Sequence, residues 1–371
     1  MRIGLVIERF EPRGGVEAAA WAIAHALVER GCEVHVFARE AEMTPGPQVH
    51  RLEVASAWQP WRVAAFSRAA ARAAPRGDFD AVHSFSRTRH QDVLRTGGGC
   101  HAAYMERAYG RFGAAWRRAS PRHATLLAIE GAALRDPSQR IHCNSTMVEA
   151  EILERYRVSP ERISVIPNGV DLERFRPRSA EDECGARALR LRGELGAEEG
   201  AVWLLLGHGE HRKGVDTALR ALARAADRRA QLWLAGRHAE GGAAKLADEL
   251  GVADRVRRLG TAHDPALLYA AADALVLPTR YDAFANVCLE AAACGLPVLT
   301  SGANGAAAWL GAAGLCVEDP EDVEGFAAAL DTLGDPERRA SLGRAARTRA
   351  ETRSWAACAS ELCALYAELR P

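Results

Sequence analysis

Lysine is nearly missing from this chain: of its 48 basic residues only Lys213 and Lys245 are lysines, so positive charge sits almost entirely on arginine. Acidic residues also number 48 and leave no net charge, which removes the bulk electrostatic reason to expect a nucleic-acid partner. No stretch approaches the ~18 consecutive apolar residues of a membrane-spanning helix. The N-terminus runs directly into Ile3–Ile7 without a long apolar leader. The expected setting is cytoplasmic, with at most a peripheral contact at the inner face of the cytoplasmic membrane. Nine cysteines are scattered without a Cys-x-x-Cys pair and read as reduced core thiols rather than a disulfide framework or zinc site. No metal and no cofactor is expected. Also missing is a Gly-x-Gly-x-x-Gly spacing after the first strand, so a dinucleotide-dependent dehydrogenase loses its main support.

What is present is ordinary globular material, 371 residues of which 48% are hydrophobic, more than one core usually serves. Ile3–Ile7, a helix over Val16–Arg30 stopped by Gly31, and a strand over Glu33–Ala38 make a βαβ opening. Further strands are expected at Ala81–Phe85, Arg140–Cys143 and Ile163–Ile166. From Asp171 to about Gly200 the apolar pattern dissolves into a charged stretch carrying Pro177, Glu181 and Asp182, which places a linker there. A second parallel unit is expected from Val202–Leu206, with strands at Leu232–Ala235, Val256–Leu259, Ala274–Leu277, Val298–Thr300 and Leu315–Val317. The fold class is therefore α/β: two facing Rossmann-like parallel-sheet domains with a cleft between them. The boundaries expected are 1–171, a linker over 172–200 leading into the second domain, 201–350, and a last helix over 351–371 crossing back to the first domain.

Three loops carry residue types suited to binding an anion or a sugar. Gly14-Gly15 follows the first strand and opens into a helix, where backbone amides can approach a phosphate; a plain structural turn is the other reading. Gly207-His208-Gly209-Glu210-His211-Arg212-Lys213-Gly214 sets a forked guanidinium beside a point charge beyond a strand end, the alternative being a solvated basic loop. Pro278–Ala291 places Asp282 in a loop and Glu290 in the helix after it, eight residues apart, so the two carboxylates serve different parts of one ligand rather than a shared metal.

This last segment resembles the Glu-x7-Glu signature of glycosyltransferase family 4, retaining enzymes of the GT-B fold. Gly14-Gly15, Ile166-Pro167-Asn168-Gly169-Val170-Asp171, Arg212-Lys213-Gly214 and Leu259-Gly260 agree with it in order over nearly the whole chain. The resemblance implies a metal-independent hexosyltransferase with an N-terminal acceptor-side domain and a C-terminal domain for the nucleotide sugar. It gives Glu290 the ribose, Arg212 and Lys213 the diphosphate, and Asp282 the hydroxyls of the transferred sugar. His101 matches a histidine near the reaction centre, a structural histidine being the alternative. Donor contacts would also come from Gly14, Gly15, Gly207, Gly260, Ala283, Phe284, Ala285, Asn286 and Val287. The pattern departs from the family in three ways: Asp282 replaces the usual first Glu, alanines at 283 and 285 replace common glycines, and His208 replaces a frequent Arg.

Asp78-Phe79-Asp80 superficially resembles a metal-binding Asp-x-Asp, but its place just before a strand reads as a turn. Between Cys100 and His123, Arg107, Arg111, Arg117, Arg118 and Arg122 are interleaved with Tyr104, Met105, Tyr109, Phe112 and Trp116, a basic-aromatic mixture suited to an anionic membrane surface or an acceptor. Gly110, Gly113 and Pro121 are expected to interrupt any continuous helix. Within the family the chain is most similar to the branch that glucosylates lipopolysaccharide core. The expected partners are a nucleotide-sugar donor, first UDP-glucose, and a glycan or lipid-linked glycan acceptor. The alternatives are a transferase using GDP-mannose or UDP-N-acetylglucosamine, and a nucleotide-sugar-binding protein without activity.

Overall fold

The computed structural model describes residues 1–54, 58–179, 182–236 and 242–369, without the side chains of 59, 60, 108, 109 and 111. The chain divides into two compact units, Met1–Gly169 with Trp355–Pro371, and Val170–Ser354. Among the described residues the first unit holds a seven-stranded sheet of β1 (Arg2–Phe10), β2 (Glu33–Ala41), β3 (Gln48–Arg51), β4 (Ala81–Ser84), β5 (Val93–Arg95), β6 (Arg140–Cys143) and β7 (Ile163–Val165), in the order β3-β2-β1-β4-β5-β6-β7. The second holds β8 (Val202–Leu206), β9 (Gln231–Ala235), β10 (Val256–Gly260), β11 (Ala274–Leu277), β12 (Val298–Ser301) and β13 (Leu315–Val317), ordered β10-β9-β8-β11-β12-β13. Neighbouring strands are parallel in both.

Central strands such as Val202–Leu206 are buried at every position, as a sheet covered on both faces requires. The two strands that sequence patterning missed are short, and one of them is exposed. β3 is a largely exposed Gln-Val-His-Arg edge, and β5 has only three residues. The first helix, Val16–Glu29, stops where Gly31 takes φ +79° and Gly31 N–H donates to Val28 O (2.8 Å) and Cys32 N–H to Leu27 O (3.0 Å), a glycine-terminated helix end.

Residues 172–200, expected as a linker, lie within the second unit, where Glu183–Glu194 forms a helix capped by Asp182. Its apolar contribution is thin, with Ala188 buried and Cys184, Leu191 and Leu195 partly so, which is why no periodicity stood out. The last helix, Trp355–Ala367, joins the core of the first unit through Cys358, Ala359, Leu362, Leu365 and Tyr366. Tyr366 OH and His83 Nδ1 are hydrogen-bonded at 2.7 Å in the interior. Asp80 accepts the Arg2 amide at 2.7 Å, so the Asp78-Phe79-Asp80 segment is a turn stitched to β1. Removing the Tyr366 hydroxyl by Tyr366→Phe strands a buried histidine nitrogen and is expected to cost about 1–3 kcal/mol in urea unfolding.

Candidate functional site

In both sheets strand order reverses between two neighbours, β1 and β4 in the first unit, β8 and β11 in the second. Ligands of doubly wound sheets settle outside the carboxyl ends at such points. In the second unit the loops leaving β8 and β11 carry Arg212, Lys213 and Asp282. After β8 the chain turns at Gly209 (φ +86°), makes one helical turn over Glu210–Lys213 and leaves it at Gly214 (φ +69°). A methyl group on Gly214 would run into the carbonyl of Pro278, so the two loops meet backbone to backbone. Arg212 O accepts Thr279 Oγ1 (2.9 Å) and Arg280 N–H (2.8 Å), which fixes their register.

The consequence is a compact charge cluster. Lys213 Nζ lies 2.6 Å and Arg212 Nη1 3.0 Å from the same Asp282 oxygen, Oδ2. Lys213 is only 5% exposed, its stem lying where a side chain on Gly207 would be. The Asp282 backbone is held on both sides, its N–H by Ala303 O (3.1 Å) and its C=O by Gly305 N–H (2.8 Å). Burial alone would push the Asp282 carboxyl up, but Lys213 and Arg212 outweigh it and hold the group below its ordinary value. Two cations against one carboxylate leave one positive charge, and Arg212 is the more exposed of the two. The family resemblance gives the cations a diphosphate and Asp282 the sugar; the structure sets both cations on one oxygen of Asp282.

Glu290 stands in the second turn of the helix Asn286–Ala293, where Tyr269 OH donates to its Oε2 at 2.8 Å. Burial pushes its carboxyl above the ordinary value, with the Tyr269 hydrogen bond and Arg174 opposing. Asn286 and Val287 open that helix, and Ala283, Phe284 and Ala285 before it are buried. Among the described residues Arg157 alone outside glycine has positive φ, so the alanines at 283 and 285 fit without strain. Asn304, which the sequence reading passed over, orders this loop: its Oδ1 accepts Ala285 N–H (3.2 Å) and Ala306 N–H (3.1 Å), and its Nδ2 donates to Thr300 Oγ1 (2.9 Å). Tyr269 was missed as well. Neither has a local sequence signal, because each acts on a residue 19 or 21 positions away. Gly207 N–H donates to Ala235 O (3.0 Å), and Gly260 O accepts Gly236 N–H (2.6 Å), so these glycines join strand ends of the same sheet.

In the first unit, Gly15 precedes the helix Val16–Glu29, and Gly14 (φ +93°) lies against the Glu17 carboxylate. Beside them a cavity of about 240 Å³ opens, lined among others by Glu8, Arg9, Glu17, Phe85, Arg95 and Glu130. His101 starts the helix His101–Arg117, and its amide donates to both oxygens of buried Glu130 (3.0 and 3.1 Å). Its Nε2 shares a proton with His123 Nδ1 at 3.0 Å. Burial, with Arg87, His123 and Arg122 adding to it, pushes the imidazole down to about 3, so His101 is neutral at physiological pH. Glu130 and His123 are further residues that sequence reading did not single out.

The basic-aromatic segment is less uniform than its composition suggested. Phe112 and Trp116 are 95% and 80% exposed, while Met105 is buried. Arg107 pairs with Glu151 (3.1 Å) and Arg118 with Glu106 (3.1 Å); Arg117 is exposed, and the side chains of Tyr109 and Arg111 lie outside the described residues. The helix breaks at Gly110 (φ +67°, ψ 166°) but runs through Gly113, and Pro121 begins the next helix. Pro121 sits in the first turn, where a missing N–H costs nothing.

Two parallel α/β sheets, each with a loop cluster at its switch point, define the GT-B fold. The same fold is found in WaaG, a glycosyltransferase involved in lipopolysaccharide biosynthesis, at a TM-score of 0.82 and 24% identity over 98% of this chain and 99% of that one. It is also found in Anabaena HepE in complex with UDP-glucose, at 0.74 and 18%, over 99% and 100%. Residues 13–174 match Glycosyltransferase Family 4, and residues 200–335 match Glycosyl transferases group 1. The D-inositol 3-phosphate glycosyltransferase of Geodermatophilus obscurus is 30% identical over 95% of this chain and 84% of its own length. The chain belongs to glycosyltransferase family 4. The enzyme of the same name from Thermobispora bispora is 33% identical over 63% of this chain, and the match spans 56% of that protein's length.

Stability tests follow from the charge cluster and from the glycines at strand ends. Lys213→Met is expected to lower unfolding free energy by about 3 kcal/mol, since a buried carboxylate loses a partner, and adding Asp282→Asn should recover part of it. Because the folded Asp282 value lies below its ordinary 3.8, its stabilisation is complete above that pH and disappears as pH falls through the depressed value. Gly260→Ala, where added bulk meets nothing within 4 Å, should cost about 1–2 kcal/mol for its positive φ alone. Gly214→Ala should cost clearly more in the same urea titration because it adds the Pro278 clash.

Proposed function

We propose that this chain is a retaining, metal-independent glycosyltransferase that moves a hexose from a nucleoside-diphosphate sugar, UDP-glucose first, to a hydroxyl of a glycan or polyol acceptor. The observation that carries the reading is the Arg212–Lys213–Asp282 cluster at the β8/β11 switch point, with Glu290 one helix turn beyond. In this reading Arg212 receives the diphosphate. Lys213, buried against Asp282, fixes that carboxylate toward the sugar hydroxyls and adds positive potential. Glu290, oriented by Tyr269, accepts hydrogen bonds from the ribose.

The anomeric C–O bond to the diphosphate breaks as the acceptor oxygen approaches the same face, through an oxocarbenium-like transition state. The acceptor's proton passes to the departing diphosphate oxygen, so no protein nucleophile is required. Fixed positive groups stabilise charge as it develops on the leaving group. His101 serves the transfer as a neutral hydrogen-bonding group rather than a cation, its ring paired with that of His123.

Two acceptor classes have separate support. The curated relatives at 30–33% identity carry the name D-inositol 3-phosphate glycosyltransferase, which favours a small polyol. The exposed Phe112 and Trp116 beside Arg117 favour a lipid-linked glycan at an anionic membrane. Among the described residues no helix is long and apolar enough to cross a membrane, so such a contact would be peripheral.

A mass-spectrometric screen of UDP-, GDP- and ADP-sugars for donor loss tests the function. One UDP-hexose should be consumed by the parent, and about 100-fold more slowly by Arg212→Ala and Glu290→Ala; equal turnover in all three ends the reading. UDP-glucose affinity should also weaken as pH falls toward the raised Glu290 value, somewhat above its ordinary 4.5, because only the ionised form accepts from both ribose hydroxyls. Glu290→Gln should flatten that titration. For the membrane contact, replacing Phe112 and Trp116 by Ser should reduce flotation with anionic vesicles at least about tenfold; no flotation by the parent removes the membrane acceptor.

A further inference from the structure

The turn that carries Arg212 and Lys213 is too short to hold its own shape. Glu210–Lys213 is a single helical turn, and an isolated turn has a costly nucleus and open carbonyls at its C-terminal end. Arg280, in the loop after β11, closes that end. Its Nη1 donates to His211 O (2.7 Å), and its backbone N–H to Arg212 O (2.8 Å). The same guanidinium forks onto Asp216 in the first turn of the helix Val215–Arg224, Nη1 to Oδ1 and Nη2 to Oδ2, both at 2.9 Å. Its Nε donates to Glu321 Oε1 (3.0 Å).

The Arg280 side chain is 11% exposed, against 42% for Asp216 and 66% for Glu321, so the fork onto Asp216 is sheltered while the Glu321 contact is a rim pair that contributes little. Burial pushes the Asp216 carboxyl up, and the hydrogen bonds and charge of Arg280 outweigh it and hold the group below its ordinary value. Two carboxylates meet one guanidinium, so Arg280 adds no positive potential of its own to the loops. What it supplies is geometry. Asp282 grips the turn by the side chains of Lys213 and Arg212, and Arg280, two residues earlier, grips it by its main chain. A lysine could not do this, since one ammonium cannot span the His211 carbonyl and both Asp216 oxygens in a plane.

We propose that Arg280 is a positioning residue for the transfer: it sets the one-turn helix so that Arg212 meets the diphosphate, and itself touches neither donor nor acceptor. This rests on the role proposed above for Arg212 as the diphosphate's partner. Without the clamp the turn can swing about Gly209 and Gly214, whose positive φ values make them its hinge points, and Arg212 is no longer held in one place against Asp282. The ribose is held from a separate helix by Glu290 and keeps its contact.

Titration of the full chain with UDP, GDP and ADP, each beside its own nucleoside and followed by ligand-observed NMR, tests the proposal. The parent should bind one diphosphate at least about tenfold more tightly than its nucleoside. Arg280→Met should lose about tenfold in diphosphate affinity and keep nucleoside affinity within about twofold, a split that general loosening of the domain would not give. Arg280→Lys should lose nearly as much, because charge without the fork does not hold the turn. In an Arg212→Ala background the added loss from Arg280→Met should be less than about twofold. Asp216→Asn, which weakens the fork and keeps Arg280, decides the matter if the Met and Lys variants do not fold, through a loss in diphosphate affinity alone. Unchanged diphosphate affinity, equal losses for diphosphate and nucleoside, full affinity in Arg280→Lys, or an undiminished loss beside Arg212→Ala overturns the assignment. A parent that binds no nucleoside diphosphate counts instead against the transferase reading. The clamp is then read from urea unfolding, where Arg280→Met and Lys213→Met should together shift the midpoint by less than the sum of their separate shifts, and additive shifts overturn it.

Discussion

One carboxylate organises the second unit's loop cluster. Asp282 is held by backbone hydrogen bonds on both sides and takes two cations on a single oxygen. An ion pair this sheltered cannot be left half made, because the cost of an unmatched buried charge exceeds what a surface pair contributes. The loops after β8 and β11 must therefore close on each other in one register. The glycines at 207 and 214 permit it by leaving room for the Lys213 stem and the Pro278 carbonyl. Arg212, at the outer edge of the same cluster, is thereby presented with its charge only partly compensated.

The first unit solves a related problem by different means. Glu130 is buried, yet it gathers the His101 amide, the Tyr156 hydroxyl (2.8 Å) and Arg87 around its two oxygens. It thus serves as a remote cap for the helix that begins at His101. His101 and His123 then stack at 5.2 Å between ring centres and share one proton. The same burial that keeps His101 neutral fixes which way its ring faces, a combination suited to hydrogen bonding a sugar and not to carrying charge. In the second unit Arg212, Lys213 and Asp282 sit beyond the carboxyl ends of β8 and β11, the strands flanking the topological switch. The strand order, more than any loop length, brings them together.

Much of this was legible beforehand, for identifiable reasons. Long apolar runs such as Val202–Leu206 are buried on both faces and could hardly be anything but central strands. The glycine-rich turns carried φ requirements that few other residues meet, and Glu290 fell in a helix turn by simple counting from Asp282. The exposed edge β3 and the three-residue β5 carry too little pattern to stand out, and the helix Glu183–Glu194 buries too few apolar residues to show a period. Gly113, expected as an interruption, lies inside a helix because glycine weakens a helix interior by only ~1 kcal/mol, a cost that surrounding turns absorb.

The order of residues along the chain by itself determined that there are two parallel α/β units and which loops end their strands, since these depend on local periodicity and spacing; the family followed from the likeness of its motifs to known ones. Only the tertiary structure decided the partnerships. That Asp282 rests on Lys213 and Arg212, that Tyr269 orients Glu290, and that Asn304 orders the loop at 285 are all facts about residues brought together from separate elements. Electrostatic and hydrogen-bonding choices of this kind depend on distances of a few ångströms and on what water is excluded, and a linear sequence carries neither.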